Sequence, residues 1–273
     1  MKRLALTVNE GRPGALEIAD EIRKELANAG LETAPPEQLE SCDALIAVGG
    51  DGTILSAARM ALPYGKPVLG VNAGRLGFLA GLERHELHLL PQLAAGVYTL
   101  DRRMLLEVRV MAAAGSDSGE TLVYEGFCVN DAVISRFGTP GLAEIAVDCG
   151  GGHVLLFMGD GVIFATPTGS TAYNFSAGGP VVEPTFESVL LTPVCNHLLF
   201  TRSVVFSAQT RFSVEIVRAG LALATDAEPP IPLLPGQRVT VHRAETDALF
   251  IRLKTEHFLD VLGMKMGTGI QFG

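Results

Sequence analysis

The junction at residues 43–62 constrains the fold of this chain more than any other segment. An apolar run from Asp43 to Val48 enters Gly49-Gly50-Asp51-Gly52-Thr53 without a break, and a helical pattern resumes from Ile54 to Leu62. A short buried strand that feeds a glycine turn and then a helix is the building unit of a parallel sheet with helices on its faces. The neighbouring segments read in the same way. Arg3 to Val8 is an apolar strand and Gly11-Arg12-Pro13-Gly14 a turn. Ala15 to Ala29 is an amphipathic helix with Ile18, Ile22 and Leu26 at four-residue spacing, stopped by Gly30. Pro67 to Val71 is a further strand, ending in Asn72-Ala73-Gly74.

After about Leu100 the texture changes. Met104 to Met111, Thr121 to Val129, Ala143 to Cys149 and His153 to Met158 are short, β-branched and partly alternating. Val204 to Ser207, Arg211 to Val217, Leu221 to Thr225 and Arg238 to His242 are similar, and turn-formers such as those at 115–119 separate them. This pattern predicts an all-β, sandwich-like domain. The expected organisation is an α/β domain over residues 1–99 and a β-rich domain over 100–251. A short helix at Glu256 to Leu262, within a last segment from about 252 to 273, closes back on the first domain.

Of the 273 residues, 48% are hydrophobic and 19% charged, the balance of a soluble globular protein. No stretch reaches the apolar length of a membrane span, and Leu4-Ala5-Leu6 is too short for a secretory core. The four cysteines form no CxxC pair and the six histidines no metal-ligand spacing, so no protein-held metal is expected. Thiols that stay reduced fit a cytoplasmic location. A net charge of −9 argues against nucleic-acid partners, which require a basic face. It leaves room for a nucleotide held by a few local donors and a magnesium ion.

The chemistry concentrates in a few places. The glycines around Asp51 remove the Cβ atoms that would keep a phosphate from the backbone N–H groups, and Thr53 can cap the helix that follows. A carboxylate inside such a turn repels phosphate unless it has a task, such as taking a proton from an attacking hydroxyl or holding magnesium. The turn has neither the Walker A nor the GxGxxG spacing. A second turn, Asn72 to Leu79, offers Arg75 to a phosphate and Phe78 as cover for a base, although core packing explains Phe78 equally well. Asn130-Asp131 closes an apolar strand with two polar groups suited to adenine edges or ribose hydroxyls. Asp160-Gly161 opens a buried strand that leaves through Thr166-Pro167-Thr168-Gly169-Ser170-Thr171-Ala172-Tyr173-Asn174. Those small hydroxyl and glycine residues supply hydrogen bonds without bulk, and Tyr173 offers a ring face.

Taken in order, these motifs resemble the NAD kinase family. Gly49 to Thr53 resembles its GGDGT signature, Asn72 to Leu79 its NxGxxGFL turn, and Asn130-Asp131 its Asn-Glu pair. Asp160-Gly161 with Thr166 to Asn174 resembles its DG…TPTGSTAYN segment, and Thr192 to His197 with Arg202 its TPxxPHxLxxRP stretch. GGDGT alone is shared with phosphofructokinases and lipid kinases, whereas TPTGSTAYN is specific. The resemblance implies an α/β domain, a β domain and a nucleotide site in the crevice between them, in a homodimer or homotetramer. It also implies NAD and ATP, or another phosphoryl donor, as substrates. Asp51 is then the catalytic base, and Gly50, Gly52 and Thr53 cradle the donor phosphates with a bridging Mg2+. Phe78 and Thr168 contact the nucleotide, Asn130 and Asp131 hold the adenosine, Asp160 meets the nicotinamide half, and Thr171 to Ser176, with Ala172 and Tyr173, line the adenine pocket. Three positions depart from the family pattern: Asp131 is one methylene shorter than Glu, Met158 stands where many bacterial members have Arg, and Asn196 replaces a Pro. The alternatives are a non-catalytic NAD(H)-binding sensor and a diacylglycerol-type lipid kinase.

Overall fold

The computed structural model describes residues 1–74, 77–112, 119–138, 141–226, 228–255 and 257–266. Arg75 and most of the glycine-serine turn at 115–119 lie outside the described residues. The chain divides into two compact units, Met1–Arg102 with Ala248–Gly273, and Arg103–Asp247.

In the first unit, strands β1 (Arg3–Val8), β2 (Glu32–Ala34), β3 (Ala44–Gly49) and β4 (Val68–Asn72) form a parallel sheet in the order β2-β1-β3-β4. Every residue of β3 and β4 is buried, as expected of central parallel strands covered on both faces. Helix α1 (Ala15–Asn28) turns Ile18, Ala19, Ile22 and Leu26 into the core, where they pack with Leu4, Leu6, Ile46, Val48, Leu69 and Val71. Helix α2 (Asp51–Ala61) buries Ile54, Leu55 and Ala58. It begins three residues before the Ile54 expected from the pattern. Gly50 remains extended and is the N-cap, so the glycine turn is shorter than it reads and Asp51 enters the first turn of the helix. An acid in that turn is favourable against the helix dipole. A short helix α3 (Gln92–Ala95) ends on Gly96 in the left-handed region before the chain leaves this unit.

Two strands, β5 (Thr99–Ala112) and β16 (Gln237–Arg252), contribute to both units, and each is longer than its sequence pattern indicated. Between them lie β6 (Thr121–Cys128), β7 (Asp131–Arg136), β8 (Ala143–Asp148), β9 (Val154–Gly159) and β10 (Gly161–Ala165). Helix α4 (Tyr173–Ser176) is one turn, and β11 (Ser188–Val194), β12 (Val204–Ser207), β13 (Phe212–Glu215), β14 (Leu221–Thr225) and β15 (Ile231–Leu233) follow. In the second unit β13 pairs with β16 and β8, and β8 with β9, all antiparallel, while β5 pairs with β6 and β16. The other sheet is antiparallel in the order β12-β11-β10-β7-β14-β15. Phe157, Phe164 and Phe212 with Ile134, Leu191 and Val239 fill the core of this sandwich.

Asp131 corrects a reading from the sequence. It does not end a strand but opens β7, whose first four residues are all buried. The final helix, α5 (Phe258–Met266), belongs to the first unit and starts slightly later than expected.

Candidate functional site

In the first unit the glycine turn is built around the Asp51 carboxylate. Its two oxygens accept the backbone N–H groups of Phe78 and Leu79 at 3.0 and 3.1 Å. Gly77 makes this possible, because a Cβ there would collide with the Asp51 oxygens. Lys265, on α5, donates to Asp51 Oδ2 at 3.2 Å, and its Nζ lies 3.8 Å from the centre of the Phe78 ring. The Asp51 side chain is thus held in one orientation and retains room for one more donor, such as a hydroxyl. Phe78 serves as the platform beneath that cation, an arrangement that attracts a cation to the ring face.

Thr53 does not cap α2. Its side chain fills the space that a Cβ on Gly49 would occupy, and its hydroxyl accepts the Asn9 amide at 3.1 Å. Gly52 faces open space, whereas Gly50 faces the Arg12 guanidinium. Beneath the second turn, the Asn72 amide donates to both oxygens of Glu83 at 3.0 and 2.9 Å and to the Gly74 carbonyl at 3.2 Å. Burial raises the Glu83 pKa, although the Asn72 bond opposes it.

The second unit gathers the other residues singled out in the sequence. Gly169 lies so close to the Asn130 backbone that no Cβ fits. The Asn130 carbonyl accepts the Thr166 N–H at 2.8 Å. Thr168 and Thr171 stand in a single 3-10 turn, Thr168–Thr171, with Thr168 buried and receiving Arg103 at 3.2 Å. Ala172 closes that turn onto Gly169, and Tyr173, 47% exposed, presents its ring to solvent. Ser176 is exposed at the end of α4. Asn174 is consumed inside: its amide donates to the Ser170 and Pro180 carbonyls, and its oxygen accepts the Thr192 hydroxyl at 2.6 Å. That lock sets the turn so that its neighbours face outward.

The least expected member is Asp226. It adopts a left-handed φ of 46° and is buried, and its carboxylate receives the N–H groups of Val129, Asn130 and Asp131 at 2.7, 2.7 and 3.2 Å. Three convergent amides hold the strand break where Asn130 and Asp131 are presented. The only signal in the sequence is an acid directly after the apolar run Leu221 to Thr225. Burial and the nearby Asp226 push the Asp131 pKa up to about 7, against the N–H of Tyr173, which lowers it.

Because the fold raises this pKa, the folded chain holds a proton that the unfolded chain has released. Stability therefore falls as pH rises from about 4 to about 7, and the cost is complete above that range. Replacing Asp131 with Asn should raise the melting temperature at pH 8 more than at pH 5. The difference is of order 2–3 kcal/mol for the two pH units below the folded pKa. Thermal melts at the two pH values test this, and equal shifts at both would refute the assignment.

Asp160, in the turn between β9 and β10, pairs with Arg136 at 2.8 Å. Arg136 also lines a cavity of about 290 Å3 with Met158, Leu142, Leu156 and Arg218. Asn196, the third departure, accepts the Met158 N–H at 2.8 Å and donates to the Phe200 carbonyl at 2.7 Å, bonds that a Pro side chain cannot make. Among the described residues no group of three or more His, Cys, Asp or Glu could hold a metal.

Comparison with known proteins gives a consistent picture across both units. The ATP-NAD kinase N-terminal domain family matches residues 20–98, and the ATP-NAD kinase C-terminal domain family matches residues 129–253. The NAD kinase of Symbiobacterium thermophilum is 38% identical over 292 aligned residues, covering 97% of this chain and 99% of that protein. The NAD kinase of Heliobacterium modesticaldum is 33% identical and covers 98% and 100%. Among solved structures, an NAD kinase from Archaeoglobus fulgidus in complex with ATP has a TM-score of 0.77 at 26% identity, covering 98% of this chain and 100% of that one. Yeast NADH kinase complexed with NADH shares the fold with a TM-score of 0.84 at 24% identity, covering 100% of this chain and 89% of that one.

Proposed function

Since the chain belongs to the ATP-NAD kinase family, we infer that it has NAD kinase activity, phosphorylating the adenosine-ribose 2′-hydroxyl of NAD to give NADP. One observation carries this reading. The similarity runs through both units, through GGDGT in one and TPTGSTAYN in the other, and is not confined to the turn that lipid kinases share.

On this reading Asp51 orients the acceptor hydroxyl and takes its proton as the oxygen attacks the terminal phosphoryl of ATP or another donor in line. The two amides and Lys265 fix the orientation of the carboxylate, so its remaining lone pair has one direction in which to accept. Gly50, Gly52 and Thr53 form the donor side. With one carboxylate at the glycine turn and no carboxylate cluster among the described residues, the donor set suits Mg2+ that arrives on the donor phosphates rather than one caged by protein. Bound there, the ion would neutralise charge on the phosphoryl group. In the second unit Asn130 and Asp131 hold the adenosine, with Asp131 seated by Asp226 and Tyr173. Thr168, Thr171, Ala172, Tyr173 and Ser176 line the adenine side. Asp160 faces the nicotinamide half, where Arg136 brings the cation that Met158 does not.

A second copy of the chain, as dimer or tetramer, would suit β9, which ends its sheet with Val154 and Leu156 exposed. A cytoplasmic location fits a chain in which no described helix is long and apolar enough to cross a membrane.

The deciding experiment is NADP formation from NAD and Mg-ATP by the purified chain. Turnover is expected. Binding of NAD with no NADP from any triphosphate or polyphosphate would favour the sensor reading instead.

A further inference from the structure

Two cations reach the glycine turn of the first unit from opposite ends of the sequence, and they differ in one respect. Lys265 is spent on Asp51. Arg12, in the loop between β1 and α1, is exposed, and its guanidinium has no carboxylate partner among the described residues. Its position is nevertheless specific. A Cβ on Gly50 would lie 2.5 Å from Arg12 Nη2, and a Cβ on Gly74 would lie 2.6 Å from Nη1. The guanidinium therefore rests in a notch formed jointly by the GGDGT turn and the turn after β4, and any side chain at either glycine would expel it. Gly52 of the same turn faces open space.

We propose that Arg12 is a donor-phosphate ligand, a guanidinium seated between two glycine turns so that its free N–H groups meet the oxygens of the triphosphate. This rests on the kinase reading given above and deepens it. The chemistry favours a ligand with several adjacent anionic oxygens, because the planar fork of Arg matches phosphate in a bidentate manner. In a chain of net charge −9, a guanidinium at the Gly50 and Gly74 turns supplies local positive charge for an incoming phosphate.

The test compares wild type with Arg12→Ala and Arg12→Lys in the full chain. In steady-state assays the KM for Mg-ATP should rise at least about tenfold in Arg12→Ala, the scale of one charge-assisted contact. The KM for NAD should stay within about twofold, and Arg12→Lys should recover part of the loss because it keeps the charge without the fork. The melting temperature should not change. A KM for Mg-ATP equal to that of wild type, or an equal rise for both substrates with a lowered melting temperature, overturns the proposal. Calorimetric titration of inorganic triphosphate into wild type and Arg12→Ala separates this outcome from failure of the kinase reading. If no NADP forms but triphosphate binding is weakened by Arg12→Ala, the phosphate site stands and the kinase reading falls. If NADP forms and triphosphate binding is the same in both proteins, the reverse holds.

Discussion

Replacing Asp51 with Asn should lower the rate of NADP formation by roughly 10²–10⁴-fold, the contribution of a positioned proton acceptor. The KM for NAD should change little, because the residues assigned to the adenosine lie in the second unit. The loss has two sources in the structure. An amide oxygen is a far weaker base than a carboxylate, and an Asn side chain has one acceptor atom for the two N–H groups of Phe78 and Leu79. Its NH2 would confront one of those donors and Lys265. Initial rates with both substrates saturating, beside a titration of NAD into the variant, are the measurement. A variant that keeps more than about a tenth of wild-type turnover would remove Asp51 from the proton-transfer role.

A change of one methyl group should be nearly as damaging through a different route. In Gly169→Ala the new Cβ would overlap the carbonyl oxygen, carbonyl carbon and Cα of Asn130. All three are backbone atoms, and the same carbonyl is already committed to the Thr166 N–H. Neither side can yield as a flexible side chain would. The expected cost is about 3 kcal/mol, typical of forced overpacking, or a fall in melting temperature of roughly 6–12 °C. NAD binding should weaken as well, since the collision drives the TPTGSTAYN turn away from Asn130 and Asp131. A melting temperature within a degree or two of wild type would show that these two backbones separate more easily than their contact implies.

The sequence carried the first unit well because its signals are local. Four-residue spacing in α1, unbroken apolar runs in β3 and β4, and glycine at the strand-to-helix junction each report on their own segment. The start of α2 at Asp51 is unmarked because Gly50 holds an extended conformation that any residue adopts. The second unit was legible as β-rich but not strand by strand. β11 contains Pro193, and β7 starts on an Asp, both of which read as turn.

The candidate site divides along the same line. Residues within motifs were visible, whereas the groups that hold them come from far along the chain and carry no motif. Lys265 meets Asp51 across 214 positions, and Asp226 meets Asn130 across 96. Asn174 closes the TPTGSTAYN run in the sequence, and in the structure it is fully buried and ties α4 to β11 through Thr192.

The first unit is discontinuous, with the second inserted between residues 102 and 248. During synthesis a ribosome releases the glycine turn early and must then translate the whole β sandwich before the last residues of β16, from Ala248, and α5 are made. Until then Asp51 lacks its lysine, and β4 lacks the neighbour that pairs Phe250 with Val68. The first unit is therefore completed only after the second has been translated in full. A premature stop between Asp247 and Lys265 would leave the first unit incomplete and Asp51 without its lysine.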